Sequence, residues 1–234
     1  MANIVLSIIT VTYNCADQIE STFKSVIPLL SNSVEFIVID GDSEDGTKDI
    51  INKYRKYISC YVSEKDNGIY DAMNKGIMKA KGNWCIFINS GDKMLNVPSC
   101  LFDTTFLKYT AIACCVDTEC SLIRPTYDWR LILHNTIPHQ GLFYNIRKNK
   151  IKFNVKYKVF SDYDLNLQFL KNNQPIICLN EVVAYHSLIG VSNSTCAARK
   201  ELFKPLREHY GSVCVAISFI YRKICALKYH IYHG

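Results

Sequence analysis

Unbroken apolar segments alternate with segments of helical period through the first hundred residues, and this alternation limits the fold more than any other feature. Ile4 to Thr12 is a continuous run rich in β-branched residues, as a strand buried on both faces should be. Asp17 to Leu29 then carries Ile19, Phe23, Val26 and Ile27 at helical spacing. Glu35 to Asp40 is a second buried strand, Asp45 to Tyr57 a helix, and Ile58 to Ser63 a short strand. Ile69 to Lys81 predicts a third helix closed by Gly82 at its C-terminal turn, and Trp84 to Asn89 another buried strand. Such repetition implies a Rossmann-like α/β fold, a mostly parallel sheet with helices on both faces. Working residues then collect at the carboxyl ends of the strands. Those ends are Tyr13-Asn14, Asp40-Gly41-Asp42 and Asn89-Ser90-Gly91-Asp92.

Beyond Asp92 the rhythm loosens. Short strands are expected at Ala111 to Val116 and Leu142 to Tyr144, with a long polar and aromatic connection from Pro125 to Gln140. A helix is expected from Asp162 to Lys171, then separate strands near Ile176 to Leu179 and Val182 to His186. A C-terminal helical tail, broken near Gly211, runs from Glu201 to the end.

The formal charge is +6, and +5 of it falls after Ala198, where seven Lys and Arg face Glu201 and Glu208. The rest of the chain is close to neutral, which argues against a nucleic-acid surface. Eleven cysteines cannot all pair within one chain, and none sits at zinc spacing. A reduced, cytoplasmic setting is expected, and no secretory leader is visible ahead of the first strand. The apolar stretch Val213 to Tyr221 stops at Arg222, too short for a span of about 20 residues.

Two phosphate motifs fail. Gly41 to Lys48 approaches a P-loop, but its last two residues are swapped and three acids inside it would repel phosphate. No G-x-G-x-x-G follows a strand. What remains is acids and amides at three strand ends. Asp45 is explained by turn and cap chemistry alone; for Asp40, the local and functional readings balance.

The segments SIITVTYN (7–14) and EFIVIDGDSEDGT (35–47) resemble the nucleotide-binding half of family 2 glycosyltransferases with the GT-A fold. The runs SEKDNGIYDAMNKGI (63–77) and FINSGD (87–92), with HQG (139–141) and VFSDYDL (159–165), are similar to the bacterial subgroup that builds capsule, colanic-acid-like and O-antigen polysaccharides. The resemblance covers roughly residues 4 to 195. It implies a domain over 1–195, with a nucleotide-binding half (1–95) and an acceptor half (96–195), followed by a basic amphipathic tail over 196–234.

By resemblance, Tyr13 flanks a uracil, Asp40 accepts from its N3–H and Thr12 lines the same pocket. Asp66, Asp71 and Asn74 contact ribose or donor sugar, or else anchor the loop before the third helix; for Asp71 the helix dipole is explanation enough. Asp92 matches the last acid of the metal-binding DxD motif, although NSGD supplies one carboxylate where that pattern has two. Mn2+ or Mg2+ is the implied cofactor, with diphosphate oxygens completing its shell. Asp162 matches the catalytic base, with Asp164 as competitor on another helix face. His139 and His186 touch diphosphate or metal, or else make strand-end hydrogen bonds. The implied reaction is inverting transfer of a hexose from a UDP-sugar to a saccharide carried on a lipid pyrophosphate. The rival is a non-catalytic sugar- or nucleotide-binding protein on the same scaffold. The tail reads either as a packed surface helix or as a peripheral contact with the inner face of the cell membrane.

Overall fold

The computed structural model describes residues 3–187 and 201–233. The expected boundary between domain and tail, at residues 195 and 196, lies outside the described residues. One nine-stranded sheet organises the chain, in the order β3-β2-β1-β4-β8-β6-β9-β5, with β7 beside β6. Strands β1 (Leu6–Thr12) and β2 (Val34–Asp40) are buried at every residue, which is why neither shows polar alternation. They pair in parallel from Leu6 opposite Val34 to Thr12 opposite Asp40. Strand β3 (Cys60–Ser63) continues the row with Ser63 opposite Asp40, and β4 (Trp84–Phe87) lies parallel on the other side of β1. The carboxyl ends of four strands therefore share one edge.

Helices α1 (Ile19–Val26) and α2 (Thr47–Lys53) cover one face of this sheet; α3 (Ile69–Lys79) covers the other. Ile19, Phe23, Val26 and Ile51 pack with Leu6, Ile8, Phe36 and Val38. Tyr70, Ala72 and Met73 pack with Ile9, Val11, Ile37 and Ile39. Each of the Val, Leu, Ile, Phe and Met side chains among these contributes about 1.5–3 kcal/mol on burial. The expected helices are shorter at their ends than the periodicity suggests, because Ile27–Leu29 and Arg55–Tyr57 tighten into 3-10 turns.

Gly82 does not close α3 as expected. The helix ends at Ala80, whose backbone is extended. Gly82 is needed instead for close approach, since a Cβ there would lie 2.7 Å from the Trp84 carbonyl and 2.8 Å from the Ser7 nitrogen. The same corner buries Glu35, whose carboxylate accepts from the Ser7 hydroxyl at 2.7 Å and the Lys81 N–H at 2.6 Å.

The second half folds back onto the first. Strand β8 (Leu142–Asn145) is antiparallel to both β4 and β6 (Ala111–Thr118), and β7 (Leu122–Ile123) forms a hairpin with β6. The two strands expected after residue 175 are one, β9 (Ile176–His186), which follows β6 in parallel through a register shift. Strand β5 (Lys93–Met94) leaves the end of β4 and pairs with β9, Lys93 opposite Tyr185. That crossing brings the end of β9 to the segment that follows β4. The long connection holds a short helix, α4 (Arg130–Leu133), and is followed by α5 (Ser161–Lys171). The tail is helical as expected: α6 (Lys204–His233) is interrupted at Gly211, where φ is 80°. Leu206 packs with Leu131, Tyr163 and Leu167, and Ser218 donates to the Leu133 carbonyl at 2.5 Å.

Candidate active site

The edge shared by β1, β2 and β3 builds the first wall. Asp40 is fully buried and its carboxylate accepts from the Ser43 N–H, the Ser43 hydroxyl at 2.5 Å and the Ser63 hydroxyl at 2.6 Å. Beside it, Thr12 Oγ1 is buried and has no partner among the described residues. Tyr13 is 63% exposed, and its ring and the Asp66 carboxylate both approach Gly41. A Cβ on Gly41 would sit 3.1 Å from Asp66 Oδ2 and 3.2 Å from Tyr13 Cδ2, so any other residue there would crowd both groups. Asn14 and Asp42 nearby hold left-handed backbones, with φ of 49° and 68°. Asn14 is held there by the Ser43 hydroxyl, which its N–H meets at 2.8 Å, and by the Glu44 N–H that its side chain accepts.

Lys75 anchors the acids before α3. Its ammonium lies 2.5 Å from Asp66 and 2.9 Å from Glu64. Burial raises the pKa of Asp66 despite this cation. Asp71 accepts from the Asn67 N–H at 3.0 Å at the start of the helix. The Asn74 amide is engaged in both directions with the backbone of Phe153, at 2.9 and 2.8 Å. Asp45 bonds to Thr47 and to the Ala16 N–H, which accords with its local reading.

The second wall lies at the end of β4 and the start of α5. Because β5 pairs with β9, Asp92 and His186 are neighbours: His186 Nδ1 is 2.7 Å from Asp92 Oδ1. Gln140 Nε2 donates to Asp92 Oδ2 at 3.1 Å, and the Ser187 N–H donates to Oδ1. Burial pulls the His186 pKa down, but the hydrogen bond and charge of Asp92 outweigh it and the net shift is upward. The adjacent residue in the turn, His139, points the other way. Its Nε2 lies 3.2 Å from the Asn89 amide nitrogen, and its Nδ1 lies 3.5 Å from Asp162 Oδ2. The Asn135 amide donates to Asp162 Oδ2 at 3.2 Å, and the Tyr70 hydroxyl, whose single proton has the Val159 carbonyl at 2.5 Å, lies 3.2 Å from Asp162 Oδ1. Burial, followed by the charge of Asp162, drives the Tyr70 pKa well upward, so the phenol stays a donor.

Asp92 and Asp162 thus converge on one turn, His139–Gly141, held by consecutive residues. Asp164 faces elsewhere: it is bound by His209 at 2.8 Å and Gln168 at 2.9 Å. Asn89 Oδ1 and Ser90 Oγ, beside Asp92, are buried without a partner among the described residues. No group of three or more His, Cys, Asp or Glu side chains gathers for a metal among the described residues.

Sequence reasoning did not assign Gln140, Tyr70, Asn135, Ser43 or Ser63 to the site. Gln140 and Tyr70 sit within recognisable motifs, HQG and GIYDAMNKG, whereas Asn135 is a lone amide in a loop and carries no local signal.

Residues 7–93 match the family model described as Glycosyl transferase family 2. A PGL/p-HBAD biosynthesis glycosyltransferase of Mycobacterium tuberculosis (strain ATCC 25177 / H37Ra) is 27% identical over 222 residues, covering 88% of this chain and 85% of the relative. TuaG of Bacillus subtilis, described as a teichuronic acid biosynthesis glycosyltransferase, is 37% identical over 91 residues, 38% of this chain and 36% of its own. Among solved structures, S. aureus TarS 1-349 in complex with UDP-GlcNAc superposes with a TM-score of 0.66 at 16% identity over 88% of this chain. This chain spans 65% of that one. The mannosyltransferase PcManGT from Pyrobaculum calidifontis, in complex with GDP-Man and Mn2+, gives 0.58 at 15% identity over 80% of this chain and 58% of its own.

Proposed function

We propose that the chain is an inverting glycosyltransferase, a reading supported by the match of residues 7–93 to Glycosyl transferase family 2 and by the likeness of its fold to TarS. It moves a hexose from a UDP-sugar to a saccharide carried on a lipid pyrophosphate, in bacterial surface polysaccharide assembly. The observation that carries this reading is the convergence of Asp92 and Asp162 on His139 and Gln140. Two acids serving two ends of one displacement must lie near each other, and the shared turn supports that reading.

The uracil lies near Gly41, flanked by Tyr13, with Asp40 and Thr12 Oγ1 as polar partners and Asp66 and Asp71 toward the ribose. Asn74, spent on Phe153, holds the loop that leads to α5. Asp162 takes the proton from the acceptor hydroxyl, with Tyr70, Asn135 and His139 orienting its oxygens toward that task. The opposite side binds the departing diphosphate. Asp92, Asn89 Oδ1, Ser90 Oγ and His186 fit Mn2+ or Mg2+, because hard oxygen donors beside substrate phosphates suit these ions and two of those oxygens lack a partner among the described residues. When bound, such an ion offsets the negative charge that builds on the leaving UDP. One base and one anion site on opposite faces of the anomeric carbon make a single displacement, hence inversion.

Helix α6 presents Val213, Ile217, Ile220 and Ile224 to solvent at helical spacing, and its neighbourhood is basic. We read this stripe as a peripheral contact with the membrane surface where a lipid-linked acceptor resides. No helix among the described residues is long and apolar enough to cross a membrane.

UDP release from a panel of UDP-sugars, with Mn2+ and acceptor present, tests the reading. At least one donor should be turned over by the wild type and not by Asp162→Asn. Binding of a UDP-sugar without turnover would instead favour a sugar- or nucleotide-binding protein.

A further inference from the structure

A cluster of cations lies away from the shared strand edge. Between Asn145 and Ser161 the chain carries six cations and no acid. Four of them, Arg147, Lys148, Lys150 and Lys152, line one open cavity of about 560 Å³ together with Asn149, Met78, three isoleucines (Ile77, Ile146 and Ile151) and Asn74, whose amide is held by Phe153. The lining includes no carboxylate. The cavity sits at the far end of β8 and the second half of α3. The proposed catalytic groups sit at the opposite end of the sheet, beyond the start of α3.

Its parts do different work. Arg147 and Lys148 donate to the carbonyls of Lys81 and Lys108, which fastens the loop to the body while leaving both charges in place. Lys150 and Lys152 are exposed and have no ion-pair or hydrogen-bond partner among the described residues. Asn149 Nδ2 is a buried donor that also lacks an acceptor among the described residues. A buried amide donor without an acceptor costs about 1–3 kcal/mol, and a ligand oxygen would satisfy it. Against these polar groups stand three isoleucines and Met78, which is 75% exposed. Cations, an unfilled donor and an exposed apolar rim together suit a phosphate joined to an apolar group.

We infer that this cavity takes the phosphate headgroup of an anionic lipid at a membrane surface, with the first acyl carbons against Met78. The site adds a second lipid-facing contact to the stripe on α6 and shares no residue with it. Glycosyl transfer does not depend on it, so either reading can fail alone.

Cosedimentation with vesicles of equal phosphatidylglycerol and phosphatidylcholine is the test, against vesicles of phosphatidylcholine only. The wild type should partition onto the anionic vesicles. Lys150→Gln with Lys152→Gln should lower that partition by roughly 30-fold, the factor for two cations near an anionic surface. Asn149→Asp should weaken it as well. UDP release by the lysine variant should equal that of the wild type, which establishes that the variant is folded. Unchanged partition of the lysine variant would overturn the inference, as would loss of all vesicle binding through Ile217→Asn with Ile220→Asn alone. Inorganic pyrophosphate provides the last arm: protection against heating of the wild type but not of the lysine variant, without vesicle binding, would assign the cavity to soluble phosphates and sink the lipid.

Discussion

Asp162 and Asp164 stand two positions apart in α5 and meet entirely different partners, because successive side chains of a helix leave it in different directions. Asp162 meets Tyr70, Asn135 and His139; Asp164 meets Gln168 and His209. The two should therefore fail differently. Asp162→Asn should lower kcat by about 10²–10⁴-fold with UDP affinity unchanged, as read by UDP release and calorimetry. Asp164→Asn should lower the melting temperature while kcat at permissive temperature stays within a few-fold. At the other end of the molecule, Gly82→Ala forces a Cβ into backbone atoms of Trp84 and Ser7. Overpacking of this kind costs about 1–3 kcal/mol, and denaturant unfolding should show it. Asp40, Tyr13, Asp92 and Asp162 could be singled out in the sequence because strand ends and ordered motifs mark them. Asn135 and Ser63 could not, since a single amide or hydroxyl gains its meaning only from what lies across the fold.

At the scale of elements, α1 and α2 are joined through Glu20, which accepts from Lys53 at 2.8 Å and the Tyr54 hydroxyl at 2.7 Å. Those hydrogen bonds hold its pKa at about 2, below an ordinary 4.5. A depressed carboxylate contributes stability above its unfolded pKa and loses it as pH falls through the folded value. The melting temperatures of wild type and Glu20→Gln should therefore differ at neutral pH and converge as pH falls from about 4.5 toward 2. The pair is exposed, so the difference should be small and should shrink with added salt. Helix α6 is fastened more firmly. His209 holds the buried Asp164, and Glu201, ahead of the helix, accepts from the N–H groups of Lys158 and Val159 at 2.7 and 2.9 Å. His209→Ala should cost about 1.5–3 kcal/mol, the range for a hydrogen bond to a charged group, measured by urea unfolding. Strand β9 shows how element boundaries escape local reading: the polar residues Asn180 and Glu181 suggest a break, yet pairing with β6 carries the strand through them.

For the whole molecule, the decisive join is β8 entering between β4 and β6. A fragment ending at residue 95 would bare the edge of β4, whose four residues are all fully buried in the intact chain. Such an edge templates pairing with other chains. The fragment should aggregate on expression, and light scattering of the refolded material would check this. The amino-acid sequence alone determined the strand–helix alternation of the first half, the strand ends where polar groups collect and the helical character of the tail. Each follows from periodicity and from short-range hydrogen bonding, which depend on neighbours a few residues away. Only the tertiary structure decided that Asp92 meets His186, that one turn holds both Asp92 and Asp162, and that a run of lysines lines a cavity with an unfilled donor. Those pairings join residues far apart in the chain, and they are set by which strand lies beside which, a choice that depends on burying the whole sheet at once.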